Sequence, residues 1–228
     1  MNAIILAAGM GTRLRPLTNE IPKCLVAVNG VPMVERQIEF LKAAGIDDIT
    51  LVSGYKAEKL DYLKGKYGVD IVFNNKYDVC NNIYSMYLVR DRLHDTYVIE
   101  GDVFMEKSCF ETPVARSTYF SVWRSELVNE WGLSADAQGN LTDIVIGQVK
   151  GYIMSGASFW TEADAAKIVD RMEYLIAHED YTGLFWDNAV IDVYQSLDIQ
   201  VVGVDCLHEI DTEEELRALE RSLNGNLM

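Results

Sequence analysis

Residues 5–15 read ILAAGMGTRLR: a strand-like apolar run, Ala3–Ala8, gives way to two glycines and then two arginines. Glycine removes the side chain where the backbone must turn sharply or approach a ligand, and arginine supplies fixed positive charge for oxyanions. The implied guest is an anion. The stretch is not a dinucleotide fingerprint, because Leu14 stands where GxGxxG needs its third glycine, and the next strand runs into Ser53-Gly54-Tyr55 without a terminal acid. It also lacks the GK[ST] of a Walker loop. What it holds is a strand end, the small residues Ala7, Ala8, Gly9 and Gly11, then Thr12 and Arg13, with Pro22-Lys23 a short way on. Backbone N–H groups in such a loop cradle a phosphate while Arg13 and Lys23 neutralise it. A glycine-rich turn with solvated cations is the plainer reading of a lone GxG, and the whole constellation outweighs it.

Outward from this loop, strand-like runs recur at Ile49–Gly54, Val69–Phe73 and Tyr97–Ile99, with helical patterns between them. That alternation implies parallel strands joined by crossover helices. After Pro32, the residues Val34, Ile38, Leu41 and Gly45-Ile46 follow one helix face, and Gly45 suits the C-terminal cap. Asn2 to Phe104 therefore reads as a nucleotide-binding half.

The second half has another texture, with strands near Tyr119–Trp123, Thr142–Ile146 and Tyr152–Met154 and a turn at Asp136–Asn140, which suits mixed or antiparallel pairing. Thr161 with Asp164 opens a helix to about Ala177, and another runs from about Leu184 to Ser196. Ile199–Val204 returns as a strand, and Thr212 with Glu215 forms a capping box for a last helix. Without a repeat, low-complexity segment or linker, residues 1–228 read as one α/β domain, with a mostly parallel central sheet and an antiparallel or mixed second half.

The 228 residues, 49% hydrophobic and 24% charged, suit a globular chain with a substantial core. No apolar run approaches the roughly 20 residues of a membrane span, and the N-terminus enters a strand without a basic region or cleavage site. A cytoplasmic protein without membrane contact is expected. Cys24, Cys80, Cys109 and Cys206 form no CxxC or Cys/His cluster and read as reduced thiols. A formal charge of −15 argues against nucleic acid as a partner, so any phosphate must be held by a few focused cations or by metal. His94 and His178 read as surface residues, and His208 is more plainly solvated than part of a site.

Tyr97-Val-Ile-Glu-Gly-Asp102 is an apolar strand ending in an acid, at the carboxyl end where open α/β sheets bind ligands. Asp102 is thereby placed to hold a metal, and magnesium characteristically takes one or two protein carboxylates and completes its shell with phosphate oxygens and water. A strand-end Asp is also a common turn former.

The stretch ILAAGMGTRLRPLTNEIPKCLVAVNGVPMVERQI resembles the opening signature of the nucleoside-diphosphate-sugar pyrophosphorylase-like nucleotidyltransferases. Within that superfamily, NNIYSMYLV, RSTYFSVWRSELVNEW, SGASFW, WDN and HEIDTEEEL are similar to segments of the bacterial CTP:phosphocholine cytidylyltransferases. The resemblance implies a glycosyltransferase-A-like fold and transfer from CTP to phosphocholine, giving CDP-choline and pyrophosphate with Mg2+ as cofactor. It implies nucleotide contacts from Leu6, Ala7, Ala8, Gly9, Gly11, Thr12, Arg13 and Lys23, from Asn82, Tyr84 and Ser85 in a base-reading segment, and from Glu100 and Gly101. Arg13, Lys23 and Asp102 would be catalytic, and the second magnesium ligand falls on Asp211. On pattern alone Asp211 equally suits a cap for the last helix, and Asn82 a cap for the helix that follows it.

For the acceptor, a quaternary ammonium is recognised by rings and acids. Trp131, Trp186-Asp187 and Glu209 are the candidates, against the plainer reading of each Trp as packing; Trp123 and Trp160 lie in strand-like runs and are assigned to the core. The same groups would admit the primary ammonium of phosphoethanolamine or 2-aminoethylphosphonate. A sugar 1-phosphate would call for more amides and acids. A non-catalytic nucleotide-binding module would not need both cations alongside two strand-end acids. Monomer and homodimer both remain open.

Overall fold

The computed structural model describes residues 1–225, apart from the side chains at 126–129 and 148–149. Strand β1 (Asn2–Ala7) is buried at every position, as a continuous apolar run with both faces covered requires. It lies between two parallel neighbours, β4 (Ile49–Ser53) and β6 (Thr96–Glu100), and β5 (Asp70–Phe73) extends the sheet beyond β4. Alternate residues of β1 feed two cores. Ala3, Ile5 and Ala7 join Val34, Ile38 and Leu41 of helix α1 (Met33–Ala43), while Ile4 and Leu6 join Ile83 and Met86 of helix α3 (Asn82–Leu88). Each fully buried aliphatic side chain of this kind contributes about 1.5–3 kcal/mol. The short helix α2 (Tyr62–Tyr67) fills the interval between β4 and β5, and α1 ends before Gly45, which adopts φ 80°.

The second half is antiparallel, with one difference from the sequence reading. Strands near Thr142–Ile146 and Tyr152–Met154 are a single strand, β9 (Leu141–Trp160), paired with β8 (Ser117–Ala135) in a long hairpin. Gly147 and Gly151, at φ 140° and 144°, let β9 bend through register shifts instead of breaking. The turn lies where expected, with Asp136 Oδ1 accepting from the Gln138 and Asn140 backbone N–H groups at 2.9 Å each. β9 also pairs antiparallel with β6, and β10 (Ile199–Gly203) runs parallel to β8. The seven-stranded order is β10-β8-β9-β6-β1-β4-β5.

Helix α4 (Glu162–His178) starts at Thr161, whose hydroxyl accepts from the Asp164 N–H. Helix α5 (Asp187–Val193) is shorter than its pattern suggested, and Tyr194–Ser196 tightens into a 3₁₀ turn. The capping box forms at helix α6 (Glu213–Gly225): Glu215 N–H donates to Thr212 Oγ1 at 3.2 Å, and Thr212 N–H to Glu215 Oε2 at 2.8 Å. Trp160 is fully buried, but Trp123, assigned to the core from its strand pattern, is 55% exposed. Three short pieces escaped the sequence reading: the β2/β3 hairpin (Ala27–Val28 with Val31–Pro32), β7 (Val103–Met105) and β11 (Leu207–Glu209). Among the described residues no helix is long and apolar enough to cross a membrane.

Candidate active site

The carboxyl ends of β1 and β6 open into a cleft of about 330 Å³. Its floor is the loop after β1. Gly11 adopts φ 58°, and a Cβ there would meet Lys23 Cβ at 2.9 Å, so the turn requires glycine on conformational and steric grounds. The chain then tightens through the 3₁₀ turn Thr12–Leu14, which carries Arg13, while Pro22 leads into a second such turn that begins at Lys23.

The short strands β7 and β11 assemble the acidic wall. They pair antiparallel with Val103 opposite Glu209, and Ile210 N–H donates to Asp102 O at 3.3 Å. That register sets Asp102, Glu209 and Asp211 side by side, with one carboxylate oxygen from each lying within 4.8 Å of the others. Lys23 Nζ stands between two of them, 2.6 Å from both Asp102 Oδ2 and Asp211 Oδ1, and an Arg13 guanidinium nitrogen reaches Asp211 Oδ1 at 2.7 Å. Burial disfavours the Lys23 charge, but Asp102 and Asp211 outweigh it and hold its pKa above the ordinary value. Withdrawal of the Glu209 carboxyl from water, with Asp102 and Asp211 beside it, raises its pKa to about 8. Three convergent carboxylates are a hard-oxygen donor set, and they fit a small divalent cation.

Position 102 is held from behind by Gln37. This α1 side chain is fully buried, and its amide donates to the Glu100 carbonyl at 3.0 Å and the Val103 carbonyl at 2.6 Å, the two that flank Gly101-Asp102. Gly101 N–H donates in turn to Leu6 O at 2.8 Å, tying the two strand ends together.

A family model described as nucleotidyl transferase matches residues 2–117. The chain is 47% identical over 227 residues to the choline-phosphate cytidylyltransferase of Streptococcus pneumoniae, covering 99% of each. The chain belongs to the nucleotidyl transferase family. It is also 36% identical over 225 residues to the 2-aminoethylphosphonate cytidylyltransferase of Lancefieldella rimae, covering 96% of this chain and 92% of the relative. Among solved structures, that of the CTP:phosphocholine cytidylyltransferase from Streptococcus pneumoniae superposes with a TM-score of 0.95 at 46% identity, covering 97% of this chain and 98% of that one.

Of the residues expected to contact nucleotide, Leu6, Ala7, Ala8, Gly9, Gly11, Thr12, Arg13, Lys23, Asn82, Ser85, Glu100 and Gly101 all line the cleft. Tyr84 does not. It points away from the cleft into a stack with Tyr87 and Tyr181, beneath the Lys76 ammonium, because neighbouring helical residues face different ways. Asn82 is not a cap: Asn81 Oδ1 accepts the Asn82 N–H, and the Asn82 amide accepts from Trp186 N–H and donates to Glu100 Oε1, at 2.8 and 2.9 Å. Glu100 is thereby pinned in a buried position, where desolvation and the charge of Asp102 raise its pKa well above the ordinary range. The helix-cap reading of Asp211 also gives way, since Thr212 caps α6 and the Asp211 carboxylate turns to Lys23 and Arg13.

The acceptor candidates separate. The Trp186 ring is buried in the core, edge-on to Trp160 at 5.8 Å between centroids, which corrects the expectation that it forms a ligand wall. Asp187 likewise faces inward, accepting from Tyr119 Oη at 3.0 Å, and borders a small cavity beside Glu100 instead of the main cleft. Its desolvation raises its pKa to about 7. Trp131 is half-buried and pairs edge-on with the exposed Phe185 at 5.6 Å, and Phe185 lines the cleft. Phe185 escaped the sequence reading, as did Asn74 and Tyr77, which line the opposite wall; Asn74 donates to Ser85 Oγ at 2.9 Å. Phe185 beside Trp186 in the sequence was the available signal, because of two adjacent rings at a helix start only one can face the core.

Proposed function

We propose that the protein joins CTP and phosphocholine to give CDP-choline and pyrophosphate. The observation that carries this reading is the meeting of Arg13 and Lys23 with Asp102 and Asp211 around a glycine cradle, in a chain 47% identical throughout to a choline-phosphate cytidylyltransferase. A phosphomonoester has its second pKa near about 6, so at neutral pH the acceptor is already largely dianionic and needs no general base. One of its oxygens attacks the α-phosphorus of CTP in line, the bond to the bridging β-oxygen breaks, and pyrophosphate departs with the electron pair.

The chain's part in this is to hold two anions together and to stabilise charge moving onto the leaving group. The backbone N–H groups of the loop after β1 receive the triphosphate. Arg13 exchanges Asp211 for the β- and γ-phosphates, and Lys23 serves the α-phosphate. Asp102 and Asp211 are the residues that would hold magnesium, with Glu209 beside them, and the bound ion supplies Lewis-acid charge to the phosphate oxygens. The aromatic pair Trp131 and Phe185, with Glu209 and Glu130 near Asp211, supports recognition of a cationic head group at the cleft mouth. The reaction would run in the cytoplasm, in a monomer or homodimer.

Pyrophosphate release from CTP, measured across phosphocholine, phosphoethanolamine, 2-aminoethylphosphonate and a sugar 1-phosphate, tests the reading. Phosphocholine should give the highest kcat/KM. A clear preference for any other acceptor overturns the substrate assignment, and CTP binding with no release for any of them overturns the enzyme.

A further inference from the structure

Two irregular segments line the cleft, and side chains outside it fasten them together. Residues 74–81, before α3, contribute Asn74, Tyr77 and Asn81; residues 180–186, before α5, contribute Phe185. Two backbone hydrogen bonds join the segments, Asn81 N–H to Thr182 O at 2.8 Å and Ile83 N–H to Leu184 O at 3.4 Å. Gly183 stands between these bonds, exposed, and a Cβ there would meet nothing within 4 Å, so the chain leading to Phe185 has no packing of its own at that point. The remaining tie is a clasp of side chains, none of which lines the cleft. Lys76 Nζ donates to Tyr181 Oη at 3.0 Å and lies 4.4 Å from the Tyr84 ring centroid and 5.7 Å from that of Tyr181. The two rings stack at 6.3 Å with 18° between their planes. Tyr87 extends the stack, covered by Arg90 at 4.2 Å, and Arg90 Nε reaches Glu173 of α4 at 2.7 Å. A tight turn fixes the Lys76 backbone: its N–H donates to Asn74 Oδ1 at 2.8 Å, and its carbonyl accepts from the N–H groups of Val79 and Cys80 at 3.0 and 2.8 Å.

We propose that Lys76 is a positioning residue for the acceptor, clasping the chain that carries Phe185 to the chain that carries Asn74 and Tyr77. This rests on the reading that Phe185 and Trp131 receive the cationic head group. The two rings meet edge-on at 5.6 Å, Trp131 from the long strand β8 and Phe185 from the loop, so loosening the loop parts the pair and leaves Trp131 where it is. Without the clasp a smaller fraction of molecules holds the pair assembled, and the apparent affinity for the acceptor falls in proportion. The nucleotide side has supports of its own. Asn74 N–H donates to Ser53 O at 2.8 Å and its side-chain amide to Ser85 Oγ at 2.9 Å, neither of which involves the Lys76 ammonium. The effect therefore falls on the acceptor and spares CTP.

The test is steady-state pyrophosphate release by full-length Lys76→Met, with CTP and phosphocholine varied in turn. The KM for phosphocholine should rise about tenfold, roughly the worth of one cation–π contact and one hydrogen bond together. Both kcat and the KM for CTP should stay within about twofold of the parent, the pattern of lost acceptor binding alone. Lys76→Arg keeps a cation over the rings and a donor for Tyr181, and it should restore the parent's KM for phosphocholine. An unchanged KM for phosphocholine, an equal rise in the KM for CTP, or a Lys76→Arg variant no better than Lys76→Met overturns the proposal. A parent protein that does not favour cationic acceptors overturns the acceptor reading and this proposal with it, so the parent's own acceptor preference tells the two failures apart.

Discussion

Asp187 gives the fold a pH signature that a single isosteric change should erase. Its carboxyl faces the buried Tyr119 hydroxyl, and desolvation lifts its pKa to about 7 from an ordinary 3.8. The folded state therefore holds a proton that the unfolded chain has already released between those two values. For an acid raised in this way, the stabilisation is complete below the unfolded pKa and is lost as pH rises through the folded one. At about 1.4 kcal/mol per pH unit the difference is worth up to about 4 kcal/mol. In Asp187→Asn the amide oxygen still accepts from Tyr119, but nothing ionises. The variant should match the parent near about pH 4 and exceed it by as much as about 4 kcal/mol above about pH 7.5. Glu100 shares the effect, because burial and the charges of Asp102 and Asp187 together raise its pKa, so the variant should keep a shallower slope of its own. Urea unfolding across this range, followed by tryptophan fluorescence, reads the difference directly. Parallel stability curves for the two proteins would refute the reasoning.

Two further changes probe the active site. Lys23→Met strips the ammonium from two carboxylates it touches at 2.6 Å. Without divalent cation it should cost about 3–5 kcal/mol in a urea melt, cut pyrophosphate release by at least about a hundredfold, and gain more melting temperature from magnesium than the parent does. An equal magnesium response in both proteins would show that the carboxylates are not a cation site. Gln37→Leu leaves the Glu100 and Val103 carbonyls buried without their donor, at about 1–3 kcal/mol each. Because Gln37 positions Asp102 without lining the cleft, steady-state kinetics should show kcat falling with the KM for CTP little changed, and a rise in KM at constant kcat would place its influence elsewhere.

The parts of the site legible in the sequence are those whose cause is local. A strand end followed by small residues and Arg13 must make a loop whatever lies around it, and Thr212 caps α6 from three residues away. Length and burial were harder to read. β9 looked like two strands because Gly147 and Gly151 interrupt its pattern, whereas in the fold they bend one strand that stays paired with β8. Trp123 shares a strand's alternation with core residues, yet it stands exposed, edge-on to Tyr152.

The active site's charge balance is the least local feature of all. Lys23, Asp102 and Asp211 lie in three separate segments, and what joins them is β7 and β11, strands of three residues each. Strands that short carry no periodicity. Their stability comes from the ladder between them and from Phe104 and Leu207 buried on either side, so neither would be recognised without the other. A slip of one residue in this ladder would turn Glu209 away from Asp102 and carry Asp211 off Lys23. The register of two three-residue strands thus sets the geometry of the acidic wall, and it explains why a buried amide on α1, Gln37, holds the carbonyls at the end of β6 and the start of β7.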